Sequence, residues 1–272
     1  MRIINRHPSR GLSVLLAALP FIALAVTYSI GSYQRLSINP ADKILPSVTQ
    51  MMNAMSELMF VQDKRTGEYL FWSDTAISLW RLACGMGISI AISLVFGVAA
   101  GFIPWIRALV KPFVEAFSLI PPITILPILF IMVGLDEASK ITLIAIGTAP
   151  LMLRAVALAV EEIPHEMIVK AQTLGASTWQ MITRVVLPQV LPKLIVATRF
   201  ALIPAWIFLV SAEAIAAVSG LGYRIFLVRR FLSMDVIIPY VLWITLLAWL
   251  MDICLAMLQR RLFPWFQPES KS

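Results

Sequence analysis

Charged side chains are scarce in this sequence. Asp, Glu, Lys and Arg make up 14% of its 272 residues, whereas a soluble domain carries about a quarter. Histidine and cysteine are rarer still, with His7 and His165, Cys84 and Cys254. The histidines lie far apart and both cysteines fall inside apolar runs, so neither a metal site nor a disulfide framework is implied. A phosphate-cradling loop of the G-x-x-x-x-G-K-[ST] kind is missing. GVAAG at Gly97–Gly101 lacks the lysine and sits in an apolar run, so this chain does not bind ATP in that way. Neither histidine has a plausible nucleophile beside it. No catalytic residue, cofactor or metal is expected in the chain itself.

What is abundant is hydrocarbon. Sixty per cent of the residues (60%) are hydrophobic, the composition of an integral membrane protein. The formal charge of +7 would suggest nucleic acid as a partner of a soluble protein. Here the basic residues gather at the ends of apolar runs, where they orient helices in a bilayer, and nucleic acid is not an expected partner.

A bilayer core of about 30 Å needs about 20 apolar residues as helix, and six stretches qualify. The first, residues 12–30, follows Arg2, Arg6 and Arg10 and is too long for a signal-peptide core, so it reads as an uncleaved helix. Residues 31–74 are polar. Within them Val48, Met51, Met52, Met55, Leu58 and Met59 have helical spacing, a short amphipathic helix, and QDKRTGE from Gln62 to Glu68 reads as a solvated turn. The second stretch, 75–102, repeats a small residue every fourth position at Gly85, Ser89, Ser93, Gly97 and Gly101, which lets another helix come close. The third, 113–135, contains Pro121, Pro122 and Pro127. Prolines free carbonyls that must face protein or a water-filled cavity, so this helix either lines a pathway or is simply kinked. Asp136, Glu137 and Lys140 form the next short turn. The fourth stretch, 141–160, holds Arg154, which can snorkel to the interface. The fifth, 191–212, carries Arg199. A mixed stretch then includes Ser219-Gly220-Leu221-Gly222, a flexible turn or partial re-entrant segment, before the sixth, 236–258, followed by Arg260 and Arg261. Six crossings put both termini on one side. That side holds more of the basic residues close to span ends, Lys271 among them, so it is expected to be cytoplasmic.

Between the fourth and fifth stretches lies the one long polar interruption, Pro164–Pro188, PHEMIVKAQTLGASTWQMITRVVLP. Met167, Ile168, Ala171 and Leu174 make an apolar stripe on a first short helix. Gly175 suits the position just past a helix end. Ser177 and Gln180 have capping-box spacing for a second helix, whose stripe is Trp179, Ile182 and Val186 and which Pro188 is expected to stop. A membrane protein with such a loop presents a surface to something, and by the topology above that surface is cytoplasmic.

The loop resembles the EAA signature of ABC importer permeases, Glu-Ala-Ala-x-x-x-Gly followed, after nine residues, by Ile-x-Leu-Pro. Ala171 stands at the last Ala, Gly175 at the Gly, Val185 at the Ile and Leu187-Pro188 at the Leu-Pro. Val169 replaces the usual Glu and Lys170 the first Ala. Further likeness to the nitrate, taurine, alkanesulfonate and bicarbonate subfamily lies in Leu45-Pro46-Ser47, Ser78-Leu79-Trp80-Arg81 and Ile120-Pro121-Pro122. Leu174-Gly175-Ala176-Ser177, Ser211-Ala212-Glu213 and Gly220-Leu221-Gly222 continue it, so that it covers residues 45–265.

The resemblance implies an all-α membrane protein with the type I ABC importer permease fold, a single domain over 1–272, in a bacterial inner membrane. It implies a second copy of the permease, two ABC ATPase subunits that bind ATP and Mg, and a soluble substrate-binding protein outside. Met167, Ile168, Lys170, Ala171, Leu174, Gly175, Val185, Leu187 and Pro188 are then the candidates for coupling to the ATPase. Arg81, Pro121, Pro122, Arg199 and Glu213 are the candidates for the pathway, since charge within a span is costly and often functional. Two arginines per subunit favour an anion. The structural alternatives are snorkelling for Arg81 and a contact of Arg199 with backbone or Glu213. A secondary ion-coupled transporter is the competing class. It needs intramembrane acids forming a relay, and only Glu115, Glu213 and Asp252 stand near span ends.

Overall fold

A computed structural model describes residues 9–40, 42–64 and 66–266, and regular structure among them is helical throughout. Arg2, Arg6 and Lys271, counted above as basic flanks, lie outside the described residues, as does Arg65 of the expected turn; of Arg10 only the backbone is described. Two compact units can be distinguished: Met1–Tyr69 with Val228–Val241, and Leu70–Leu227 with Leu242–Ser272.

In the first unit α1 spans Arg10–Ile38, longer than the apolar count requires. Nothing in its sequence ends it until Asn39-Pro40, where proline drives the preceding residue out of the helical region, and Asn39 is indeed extended at φ −137°. The amphipathic helix is α2, Val48–Phe60, and Leu45-Pro46-Ser47 proves to be its start. Ser47 accepts from the Gln50 amide while the Gln50 side chain accepts from the Ser47 amide, a complete capping box. Tyr28 donates to the Pro46 carbonyl at 2.7 Å and Ser32 to the Leu45 carbonyl at 3.0 Å, fastening the connector to α1.

The second unit begins with α3, Leu70–Phe102, several residues before the expected Thr75. It continues with α4 (Pro104–Ser118), α5 (Pro122–Val133) and α6 (Glu137–Glu161). After the polar loop come α9 (Leu187–Ala216) and α10 (Leu221–Arg229), and most of α11 (Met234–Leu262) also belongs here. The small-residue stripe of α3 is the seam against α6. A Cβ on Gly85 would lie 2.6 Å from Ile144, on Gly97 2.7 Å from Val156 and on Gly101 2.5 Å from Val160. Ser89 meets the Thr148 hydroxyl at 2.6 Å, with a sequence offset of 59 that the glycine contacts share. An offset that stays constant along the seam means that the two helices run parallel.

That parallelism decides the path of the chain between them. Arg81 to Gly101 is about 30 Å of helix at about 1.5 Å per residue, and the chain from Phe102 must recover that height before α6 begins beside Arg81. The α4–α5 pair does so, although it is bent by 100°. It is a broken span, and the single kinked helix expected over 113–135 is corrected accordingly. Pro121 and Pro122 lack the N–H groups that would have continued the ladder, and Pro122 instead opens α5. Among the described residues five helices are long and apolar enough to cross a membrane, six with this pair counted as one.

Helix α9 returns in the opposite sense, placing Glu213 beside Ser78 and Arg81 and pressing Phe208 onto Gly147. The α11 segment runs with α3: Trp243 donates to Thr75 at 3.1 Å and, far along the helix, Gln259 donates to the Pro192 carbonyl at 3.4 Å. The ends of α3, α6 and α11 and the polar loop therefore share one end of the unit, while Arg81, Glu137 and Glu213 share the other.

Candidate functional site

Two regions hold the residues singled out from the sequence. The first is the polar loop. Helix α7 covers His165–Thr173 and none of its residues is buried. It closes with the Ala176 amide on the Ala171 carbonyl at 3.0 Å and the Gly175 amide on the Gln172 carbonyl at 2.9 Å. That bond pair is a Schellman motif, and it requires the left-handed φ of +78° that Gly175 supplies. Ser177 and Gln180 form the capping box of α8, Thr178–Met181. A π-helical turn, Ile182–Val186, joins α8 to α9 without a stop. Pro188 thus does not end the second helix. It is the second residue of α9, and the π turn before it, in which the Leu187 amide reaches back five residues to the Ile182 carbonyl, accommodates the missing N–H.

The loop is fixed at its base and open at its tip. Val186 and Met181 are buried, and Val185, Leu187 and Pro188 are half-buried. Glu162 and Lys193 pair at 2.5 Å across the two strands of chain that enter and leave. Ile168 and Ala171 turn partly inward. Met167, Val169, Lys170, Leu174 (88% exposed) and Trp179 (72%) face outward, so the predicted stripes divide between an inner and an outer side. The replaced signature positions, Val169 and Lys170, are both on the outer side. Apolar side chains grouped on an exposed tip mark an interaction surface.

The second region is a charge cluster at the opposite end of the unit, largely buried except at Glu137, whose side chain is 54% exposed. Arg81 is 1% exposed and Glu213 is 0%. Arg81 donates Nε and Nη2 to Glu137 at 2.5 and 2.7 Å, and Nη1 to Glu213 at 2.7 Å and the Ser219 carbonyl at 2.8 Å. Ser78 donates to Glu213 at 2.7 Å and accepts the Leu221 amide; the other Glu213 oxygen accepts the Gly222 amide at 2.8 Å. Lys140 pairs with Glu137 at 3.0 Å. Asp74 accepts the Gly220 amide at 2.8 Å and Arg224 at 2.7 Å. Three cations thus meet three carboxylates, with backbone amides taking up remaining oxygens, which is what makes burial of so much charge tolerable. Gly220, at φ +119°, must be glycine: a Cβ there would sit 2.5 Å from the Glu213 carboxylate. Of the two expectations for Ser219–Gly222, a flexible turn or a partial re-entrant segment, the flexible turn is corrected: Ser219-Gly220 is pinned where it leads into α10.

The cluster corrects three assignments. Arg81 does not snorkel, since both carboxylates that hold it are in place. Glu213 is the partner of Arg81 and not of Arg199, which forms its own fork with Asp252 at 2.7 and 2.8 Å. Glu137 and Lys140 lie in the first turn of α6, with Lys140 buried. Arg81 and Arg199 are both paired with carboxylates, Arg81 buried and Arg199 partly exposed, and Glu213 and Asp252, each held by an arginine, do not form a relay. Asp74, Ser78, Glu137, Lys140 and Arg224 were not among the candidate site residues. The spacing i, i+4, i+7 of Asp74, Ser78 and Arg81 on one helix face was the signal that could have found the first two. Pro121 and Pro122 stand at the α4–α5 break, where Pro122 lines a cavity with Ser118 and Arg154.

Residues 89–267, which include the whole loop and most of the α3–α6 seam, match the model of a binding-protein-dependent transport system inner membrane component. The chain belongs to this permease family. The taurine transport system permease protein of Escherichia coli (strain K12) is 32% identical over 245 residues, 90% of this chain and 86% of that one. The putative aliphatic sulfonates transport permease of the same organism is 30% identical over 224 residues, 82% of each. Among solved structures, a chain of the inward-facing MetNI methionine ABC transporter superposes with a TM-score of 0.63 at 23% identity, covering 73% of this chain and 99% of that one. The permease is therefore a multi-pass membrane subunit of an ABC importer with the fold of that class, as the resemblance implied.

Proposed function

We propose that two copies of this permease form the pathway of an ATP-driven importer for a small oxyanionic solute of the sulfonate or carbonate kind. A soluble binding protein delivers the solute on the far side, and two ATPase subunits bind ATP and Mg on the near side. The near side is cytoplasmic and carries the polar loop and both termini. The observation that carries this reading is the loop tip. Met167, Lys170 and Leu174 stand exposed on a nine-residue helix and its Schellman turn, and Trp179 stands exposed on α8, the loop being anchored by buried Val186 and the Glu162–Lys193 pair. Such a tip docks in a groove of each ATPase as a rigid lever, and closure of the ATPase pair rocks the helices between inward- and outward-open states. The sulfonate class is supported by the two curated relatives named above.

Cross-linking tests the docking. Leu174→Cys in an otherwise cysteine-free permease is expected to join a surface cysteine on the ATPase encoded beside it, and the cross-link is expected to respond to ATP. A Leu174→Cys protein that couples transport yet never cross-links at any groove position would refute the proposal. Calorimetry of the cognate binding protein with taurine, alkanesulfonates and bicarbonate tests the substrate class. Binding confined to cations would reject it.

A further inference from the structure

Arg81 and Arg199 are committed to carboxylates, but a third arginine within the apolar helices is not. Arg154 lies on α6 about 10 Å before its end at Glu161, at about 1.5 Å per residue, exposed and without an ion pair or hydrogen bond among the described residues. It lines two adjoining cavities. The smaller, about 230 Å³, is bounded by the α4–α5 break at Ser118, Ile120 and Pro122 and by Ile146 and Pro150 of α6. The larger, about 510 Å³, runs along α4 past Lys111 and Glu115 to Arg107. Arg107 is occupied by Glu161 at 3.3 Å and by the Ala100 and Gly101 carbonyls. Glu115 shares the larger cavity with Arg154 but forms no ion pair with it.

The side chains lining the smaller cavity are mostly apolar apart from Arg154 and Ser118, and two interruptions of the helices add polar backbone. Pro150 has no N–H, so the Ile146 carbonyl loses its helical partner. The Ser118 carbonyl is among those left open at the end of α4. Irregular backbone at membrane depth occurs where it is buried in protein or lines a water-filled cavity, not against lipid. A guanidinium opening into such a cavity offers a planar fork of donors suited to a sulfonate, carboxylate or carbonate group. The volume lies below the range of about 300–1,000 Å³ typical of drug-sized ligands, which limits the occupant to a small solute.

We propose that Arg154 binds the oxyanion of the transported solute in the cavity beside the α4–α5 break, and so sets the charge selectivity of the pathway. The proposal rests on the transport reading and supplies the cation that Arg81 and Arg199 do not. The test is equilibrium binding of radiolabelled methanesulfonate to the full-length permease in phosphatidylcholine nanodiscs. Saturable binding is expected, weakened at least tenfold by Arg154→Gln and unchanged by Lys111→Gln. No binding to the wild type, or equal binding to Arg154→Gln, overturns the proposal. If Arg154→Gln lowers the thermal midpoint, Arg154→Lys serves in its place. Several-fold weaker binding then supports the fork, and unchanged binding refutes it. A parallel set of discs contains phosphatidylglycerol. Retention of that lipid through Arg154 without any methanesulfonate binding assigns the guanidinium to a lipid phosphate and overturns the pathway role. No ATPase is present, so the result stands whether or not α7 docks one.

Discussion

Replacing Gly175 by valine isolates the geometry of the loop from its chemistry. Gly175 sits at φ +78°, and a Cβ built there meets nothing within 4 Å. The penalty for a side chain is therefore entirely one of backbone conformation. The left-handed region costs an L residue about 1–2 kcal/mol, and a β-branched residue sits at the high end because such residues are genuine outliers there. If the turn abandons that φ, the bonds from Gly175 to Gln172 and from Ala176 to Ala171 go with it, each worth about 0.5–1.5 kcal/mol net. Helix α7 has no buried residue to resist the change. A cost of about 2 kcal/mol shifts a two-state equilibrium about thirtyfold away from the formed lever, while the helices it joins stay folded. The assay is ATP hydrolysis stimulated by loaded binding protein, with transport, in proteoliposomes. Gly175→Val is expected to insert normally, lose most stimulated hydrolysis and lose uptake in proportion. Gly175→Pro fails further, because it also lacks the N–H. Gly175→Asn, which tolerates the left-handed region, retains most activity. Full coupling in Gly175→Val, or equal loss in the asparagine and valine variants, would refute the reasoning.

Three further outcomes follow from the packing. Glu213→Ala leaves Arg81 buried with one carboxylate removed and is expected to cost about 3–5 kcal/mol, the scale for breaking a buried pair; thermal unfolding in detergent reads it, and a midpoint within a degree of wild type would contradict the cluster as described. Gly101→Leu forces a side chain into Val160 and the Ala157 carbonyl and is expected to destabilise by about 1–3 kcal/mol, whereas the same change at Gly87, where a Cβ meets nothing within 4 Å, leaves stability nearly unchanged; equal effects would deny the seam. The Arg199–Asp252 pair is 32% and 41% exposed, so a double-mutant cycle is expected to find a coupling of about 1 kcal/mol or less, and several kcal/mol would mean that the pair is shielded in the assembled transporter.

Much of this protein was legible in its sequence because the signals are local. A helix needs only its own periodicity and caps to be recognised. The Ser177–Gln180 box, the glycine at the left-handed turn and the five-residue stripe of α3 are each contained within a turn or a few turns of chain. Signature spacing within one loop was likewise enough to assign the family. What needed the tertiary structure was every relation between distant segments. Proline positions alone leave a kink and a 100° break equally open; the parallel register of α3 against α6 decides for a broken span that recrosses. Pro188 looks like a stop until the π turn before it absorbs the missing donor. Above all, the identity of an arginine's partner is not written near the arginine. Arg81 finds Glu213 and Glu137, and Arg199 finds Asp252, because helix direction and register bring those carboxylates within hydrogen-bond reach. Coulomb energy depends on distance in space, and the sequence records only distance along the chain. Arg154, which looked like an ordinary snorkelling residue, is singled out only once the other two are seen to be occupied.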